Sequence, residues 1–203
     1  MKNVKDPANV VVCGVGGQGN ILISRLIGRI LTKQGYSVSI GETFGAAQRG
    51  GSVFSCLRIS KKRLYGPLIP DGDADIILSM EPMEALQQLK SLGNPEVMVL
   101  TNIKIVPPVE FIIGDQVYPE LFKIKSALIR FSKQAWFIPA TEIALEIGAP
   151  IIANIVMLGA LVGSRVMSIT LDEAEAEVRA TVPESRLDLN LEALKRGYRS
   201  TVG

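Results

Sequence analysis

The sequence predicts a three-layer α/β/α domain with a mostly parallel central sheet and a helical C-terminus. Three observations carry that expectation. Short apolar runs alternate with helix-period segments through residue 150. A glycine-rich turn joins the first apolar run to the first helical segment. From Ile151 onward the pattern is helical throughout. No stretch reads as an interdomain linker, so residues 1–203 are expected to form one domain.

Val10-Val11-Val12-Cys13 is an apolar run bounded by glycine and reads as a buried strand. Gly14 to Gly19 follows as a turn. Ile23, Leu26, Ile27, Ile30 and Leu31 recur at helical spacing up to Gly35, a helix stop. Tyr36 to Ile40 is a second strand. The opening is therefore a βαβ unit of Rossmann-like type, expected to be right-handed with parallel strands. Glu42 to Gly51 reads as a loop, Ser52 to Ile59 as a strand, and Lys61 to Gly66 as a solvated hairpin tip. Asp75 to Ser79 is another buried strand. Pro82 opens a helix carrying Met83, Leu86 and Leu89. Glu96 to Thr101 is a strand, and Phe111-Ile112-Ile113 reads as a short edge strand after the Pro107-Pro108 break. Leu121 to Phe131 is helical, Trp136 to Pro139 extended, and Ala140 to Ile147 helical up to Gly148. Ile151 to Val162 is apolar except for Asn154. Its twelve residues fall short of the about 20 that span a bilayer, so it reads as a buried helix. Thr170-Leu171-Asp172-Glu173 is a capping box for a helix to Val182, which Pro183 ends. Leu187 to Tyr198 is the last amphipathic helix.

Composition excludes several functions. The 22 basic and 20 acidic residues nearly cancel, which gives no electrostatic case for nucleic acid. There is no histidine, which removes Ser-His-Asp and Cys-His nucleophile activation and the commonest metal ligand. The two cysteines, Cys13 and Cys56, form no CxxC pair, so the chain cannot ligate an iron–sulfur cluster by itself. No metal site and no catalytic residue is expected. Few cysteines and no apolar signal segment in Met1 to Pro7 suggest a cytoplasmic protein.

Gly14, Gly16 and Gly19 have G-x-G-x-x-G spacing, with a strand before and a helix after. Glycines allow the tight turn, and the free N–H groups of a helix N-terminus favour an anion, typically a phosphate. The same spacing also serves tight helix–strand packing with no ligand. Glu42, 23 residues after Gly19, stands near where a dinucleotide site places its ribose-binding acid. It also begins a second motif, Glu42-Thr43-Phe44-Gly45-Ala46-Ala47-Gln48-Arg49-Gly50-Gly51-Ser52. Arg49 could grip a phosphate or carboxylate, pair with Glu42, or dock a partner; sequence alone leaves these open.

Gly14-x-Gly16-Gly17-Gln18-Gly19 together with Glu42-x-x-Gly45-x-x-x-Arg49-Gly50-Gly51 resembles the gamma domain of the 2-oxoacid:ferredoxin oxidoreductases. The apolar helix Asn154 to Leu161 and the ending Asn190, Ala193, Gly197 extend the likeness over nearly the whole chain. It is similar in particular to the small subunit of the indolepyruvate type. The resemblance implies a subunit inactive alone, within an enzyme that decarboxylates a 2-oxoacid to an acyl-CoA and reduces ferredoxin. Thiamine diphosphate and iron–sulfur clusters would sit on partner subunits. Asp71-Gly72-Asp73 only echoes a thiamine motif and reads as a turn. The resemblance implies coenzyme A handling by such a domain and packing against the thiamine-binding subunits; anion physics makes the turn Gly14, Gly16, Gly17, Gln18 and Gly19 the candidate contact for a coenzyme A phosphate, and Glu42, Arg49, Gly50 and Gly51 complete the candidate cofactor-binding set.

Two alternatives remain. One is a stand-alone NAD(P)-dependent dehydrogenase using the same turn and Glu42. The other is a structural assembly subunit that binds no ligand. As an isolated chain it is expected to self-associate as a dimer through the Phe44–Gly51 loop or the 151–162 region.

Overall fold

The computed structural model describes residues 5–42, 50–109, 111, 114 and 117–202. Strand β1 (Ala8–Val15) is buried along its whole length, as befits a strand covered on both faces. Gly14 and Val15 belong to it, so the turn proper is shorter than expected. Helix α1 (Asn20–Lys33) follows, and Gly35 leaves it with a φ of 82°. Strands β2 (Ser37–Glu42), β3 (Ser52–Ser60) and β4 (Ile76–Ser79) come next. Pro82 opens helix α2 (Pro82–Leu92). Strand β5 (Met98–Asn102), helix α3 (Leu121–Phe131), strand β6 (Gln134–Ile138) and helix α4 (Ala140–Ile147) continue the alternation. A 3₁₀ turn, Pro150–Ile152, leads into α5 (Ala153–Gly163), and α6 (Leu171–Thr181) and α7 (Leu187–Arg199) finish the chain. The capping box is present: the Glu173 N–H donates to Thr170 Oγ1 at 3.2 Å and the Thr170 N–H to Glu173 Oε2 at 2.8 Å.

Among the described residues one six-stranded sheet forms, in the order β2-β3-β1-β4-β5-β6. The β1/β4, β4/β5 and β5/β6 pairs are parallel. β3 is antiparallel to both β1 and β2. This corrects the expected opening unit. β1 and β2 do run the same way, but β3 lies between them. The reason is the edge of β1: a strand buried on both faces leaves no water to satisfy an unpaired edge. β3 fills it from Ala8↔Ile59 to Val15↔Ser52. Residues 61–66 are not a hairpin tip, because β3 and β4 flank β1 on opposite sides. Of the expected edge strand at 111–113, Phe111 joins no strand and residues 112 and 113 lie outside the described residues. Asp71-Gly72-Asp73 is a turn, with Gly72 at φ 71° and the Asp73 N–H donating to the Pro70 carbonyl.

The two faces of β1 show the strand period directly. Val10 and Val12 join a core with Ile23, Ile27, Met157 and Leu194, beneath α1, α4, α5, α6 and α7. Val11 and Cys13 join a second core with Ala85, Leu89, Ile124 and Leu128, beneath α2 and α3. The result is the expected three layers. Within the first layer α5 and α7 touch backbone to backbone. A Cβ at Gly159 would overlap the Leu194 carbonyl, and one at Gly197 the Val156 carbonyl. Asn154 to Gly163 are buried within the fold. The 151–162 region therefore offers only Ile151, 72% exposed, for self-association; Phe44 to Arg49 lie outside the described residues.

Candidate anion-binding site at the glycine turn

The turn sits at the C-terminal end of β1, where the crossover to β4 reverses the direction of sheet growth. Open α/β sheets bind ligands in such a crevice. Gly14 has no space for a side chain: a Cβ there would stand 2.6 Å from Gln18 Oε1 and 2.8 Å from Met80 Cβ. Gly17 (φ 100°) and Gly19 (φ 84°) hold backbone conformations that side chains disfavour. Gly16 donates its N–H to the Gly51 carbonyl at 2.9 Å. Val109 donates to the Gly50 carbonyl at 2.8 Å. The two glycine motifs of the sequence thus meet at one place.

Gln18 braces the turn from within. Its Oε1 accepts the Val15 N–H at 2.7 Å, and its Nε2 donates to the Met80 carbonyl at 3.4 Å. Asn102 Nδ2 reaches the same carbonyl at 3.3 Å. Among the described residues the N-terminus of α1 has no side-chain cap, and its first turn holds no acidic residue. Its leading N–H groups and the helix dipole therefore favour an anion. Asn20, the first helical residue, is 4% exposed, and neither Oδ1 nor Nδ2 has a hydrogen-bond partner among the described residues. An orphaned buried amide is costly unless a ligand satisfies it.

Two clefts open on either side of the turn. One of about 540 Å³ is lined by Gly17, Gln18, Gly19, Asn154, Arg186 and Asn190. Asn154 packs directly on Gly19 and accepts the Ile155 N–H at 2.8 Å. Asn190 donates to the Arg186 carbonyl at 2.7 Å. Arg186 is exposed and has no ion pair among the described residues. The other cleft, about 300 Å³, is lined by Gly16, Gly17, Asn20, Val53, Phe54 and Ser55.

Buried acids support the crevice from below. Glu81 is fully buried and caps α2, accepting the N–H of Met83 at 2.7 Å and of Glu84 at 3.0 Å. Tyr118 donates its hydroxyl to Glu81 Oε1 at 2.5 Å. Burial raises the Glu81 carboxyl above its ordinary value, against the lowering effect of the Tyr118 hydroxyl and the amides. Burial, and then the Glu81 carboxylate, push the Tyr118 hydroxyl up as well. Ser52 Oγ donates to Glu84 Oε2 at 2.5 Å. Burial also raises the Cys13 and Cys56 thiols, which keeps them protonated and unreactive. Among the described residues no group of three or more His, Cys, Asp or Glu could hold a metal, and no helix is long and apolar enough to cross a membrane.

Gly14, Gly16, Gly17, Gln18, Gly19, Gly50 and Gly51 are brought together. Glu42 is not. It ends the edge strand β2, level with Ser55 and so with Val12, below the turn. Two strand spacings put it about 10 Å to the side, and it faces Arg25 at 3.6 Å. Arg49 lies outside the described residues. Sequence reading missed Asn20 and Arg186. For Asn20 a signal existed: it stands three residues before Ile23, at the head of the buried stripe of α1.

The sequence profile of the pyruvate ferredoxin/flavodoxin oxidoreductase family matches residues 9–200. The chain belongs to that family. It is 39% identical to the indolepyruvate oxidoreductase subunit IorB of Archaeoglobus fulgidus over 194 residues, covering 96% of this chain and 95% of that one. Two solved structures share the fold of this family member. The gamma subunit of a keto/oxoacid ferredoxin oxidoreductase from Geobacter sulfurreducens has a TM-score of 0.68 at 22% identity, covering 96% of this chain and 98% of that one. The 2-oxoglutarate:ferredoxin oxidoreductase of Magnetococcus marinus, with 2-oxoglutarate, coenzyme A and succinyl-CoA bound, has a TM-score of 0.72 at 22% identity. There the alignment covers 97% of this chain but 31% of the larger one.

Proposed function

We propose that the chain is the small subunit of a 2-oxoacid:ferredoxin oxidoreductase of the indolepyruvate type, contributing an anion contact for coenzyme A. The observation that carries this reading is the uncapped N-terminus of α1 with the orphaned amide of Asn20 beside it. A phosphate of coenzyme A fits the leading helix N–H groups and the Asn20 amide, and Arg186, in the cleft on the other side of the turn, suits a second anionic group of the same ligand. Residues 1–203 act as one cytoplasmic domain, packed against the subunit that carries the chemistry. With no histidine, two unreactive thiols and, among the described residues, no exposed acid–base pair at the turn, this chain binds and orients rather than reacts. Two cysteines cannot supply the ligands of an iron–sulfur cluster. The partner therefore supplies the cluster and thiamine diphosphate, which provide electron transfer and carbanion stabilisation when bound. Electrons leave through that partner to ferredoxin.

The test is coenzyme A titration of the assembled enzyme carrying Gly16→Asp or, at an exposed position, Arg186→Glu. Each change is expected to weaken binding about tenfold, the size of one charge-assisted contact. Unchanged affinity in intact complexes would leave a purely structural subunit. The dehydrogenase reading loses its ribose ligand, because β3 holds Glu42 away from the turn. Tight NADH binding by the isolated chain would restore it.

A further inference from the structure

The cleft of about 540 Å³ beside the glycine turn is where three helices begin. Gln18 and Gly19 precede α1, Ile152 precedes α5, and Arg186 precedes α7; all four line it. Among the described residues none of these helices has a side-chain cap. Their positive dipole ends therefore meet at one place. No acidic residue lines the cleft among the described residues, and Asp188, in the first turn of α7, stands outside it.

Two buried asparagines of the cleft carry a pattern of their own. Asn154 is 6% exposed and Asn190 5%. Each uses one end of its amide within its own helix. Asn154 Oδ1 accepts the Ile155 N–H at 2.8 Å, and Asn190 Nδ2 donates to the Arg186 carbonyl at 2.7 Å. Those bonds fix which way each amide points. Among the described residues Asn154 Nδ2 and Asn190 Oδ1 have no hydrogen-bond partner. One is a donor and the other an acceptor. Leu22, Ile152 and Val182 give the same cleft apolar walls. A free donor and a free acceptor between apolar walls suit a nucleobase, whose faces are apolar and whose edge carries both kinds of group. Arg186, exposed and without an ion pair among the described residues, suits a phosphate beside it.

Coenzyme A carries these groups together. Its ribose bears both adenine and the 3′-phosphate, while the diphosphate leads away to the pantetheine arm. The cleft that receives the base therefore receives the 3′-phosphate as well, and the diphosphate falls to the turn and the leading N–H groups of α1. The cleft across the turn, about 300 Å³, is smaller, and its side chains, Asn20, Ile21, Val53, Phe54 and Ser55, include no cation. Building on the coenzyme A reading, we infer that Asn154, Asn190 and Arg186 form a site for the 3′-phosphoadenosine end, in which Arg186 selects the 3′-phosphorylated form of the coenzyme.

The assembled enzyme is titrated calorimetrically with coenzyme A, 3′-dephospho-coenzyme A, adenosine 3′,5′-bisphosphate and inosine 3′,5′-bisphosphate. The parent is expected to bind coenzyme A about tenfold more tightly than its dephospho form, the size of one charge-assisted contact. Arg186→Gln is expected to bring coenzyme A down to the dephospho level and to leave dephospho-coenzyme A unchanged. The position is exposed, so circular dichroism is expected to match the parent. Adenosine 3′,5′-bisphosphate is expected to displace coenzyme A. It is also expected to bind about tenfold more tightly than the inosine compound, in which donor and acceptor exchange places on the base edge. That comparison needs no substitution at the buried asparagines. Equal binding of coenzyme A and its dephospho form by the parent, or equal binding of the two bisphosphates, would overturn the inference. Gly16→Asp tells its failure from that of the coenzyme A reading, because it is expected to weaken coenzyme A and its dephospho form alike. If Gly16→Asp does so and Arg186→Gln also weakens both equally, the contact at the turn stands and the cleft assignment falls. If Gly16→Asp leaves both unchanged, the coenzyme A reading falls and the cleft assignment with it.

Discussion

The glycine turn and the α5–α7 crossing use the same residue for opposite ends. At Gly17 a Cβ would meet nothing within 4 Å among the described residues, and the glycine is there for its φ of 100°. At Gly159 and Gly197 the backbone is ordinary helix and the space is filled: the neighbouring helix backbone stands where a methyl group would go. One region leaves room beside the backbone, and the other closes it. A glycine count alone cannot tell a binding turn from a packing seam, but the cost of adding one methyl group can.

The largest effect is therefore expected at the crossing. Gly197→Ala must push α5 and α7 apart along their backbones, at about 3 kcal/mol, the upper end of overpacking penalties. For a chain of this size that lowers the thermal midpoint by roughly 6–12 °C. A melt of Gly197→Ala within two or so degrees of the parent (~2 °C) would break the comparison. Gly19 combines both roles, since it has positive φ and carries Asn154 against it. Gly19→Ala is expected to cost about 2 kcal/mol, and Asn154→Ala in the same chain to recover the steric part, a coupling readable by a double-mutant cycle. Gly17→Ala meets no atom of the described residues and is expected to cost about 1 kcal/mol of backbone strain by urea denaturation. A loss as large as that of Gly197→Ala would show that the turn, too, is a packing seam.

The smallest effect separates the regions by pH. Helix α5 carries no ionisable side chain, whereas the turn rests on Met80 and the buried Glu81 next to it. The Glu81 carboxyl lies above its ordinary value in the fold, so the native protein holds a proton that the unfolded chain has already released. Stability therefore falls as pH rises from the ordinary carboxyl value through the raised one. Glu81→Gln keeps an oxygen for the α2 amides and is expected to flatten that slope. Denaturation midpoints at pH 5 and pH 7.5 would check it, and an unchanged slope would remove Glu81 as its source.

Much of this was legible in the sequence, and what escaped has a common cause. Leu121–Phe131, Ala140–Ile147 and the Thr170 capping box are set by local periodicity and caps, and the structure has them as read. Strand existence was also local: the alternation in Ser52 to Ile59 marks it as extended, and the strand runs Ser52–Ser60. Its place between β1 and β2 was not, because adjacency is decided by which distant edge a strand completes. The site divides in the same way. The glycine spacing and the Arg49-Gly50-Gly51 motif are local patterns. The orphaned amide of Asn20, the brace of Gln18 and the place of Arg186 in the cleft beside the turn depend on segments distant in the chain coming together around that turn.

Gln18 has a thermodynamic consequence for any anion the turn receives. Its two hydrogen bonds, to Val15 and Met80, fix the amides in position during folding. The disorder lost in aligning those donors is lost once, when the chain folds, and not again at each encounter with a ligand. Binding at such a turn reads out as contact enthalpy with little ordering of the protein. Removing the brace would leave the donors in place but return the entropy of aligning them to the binding step.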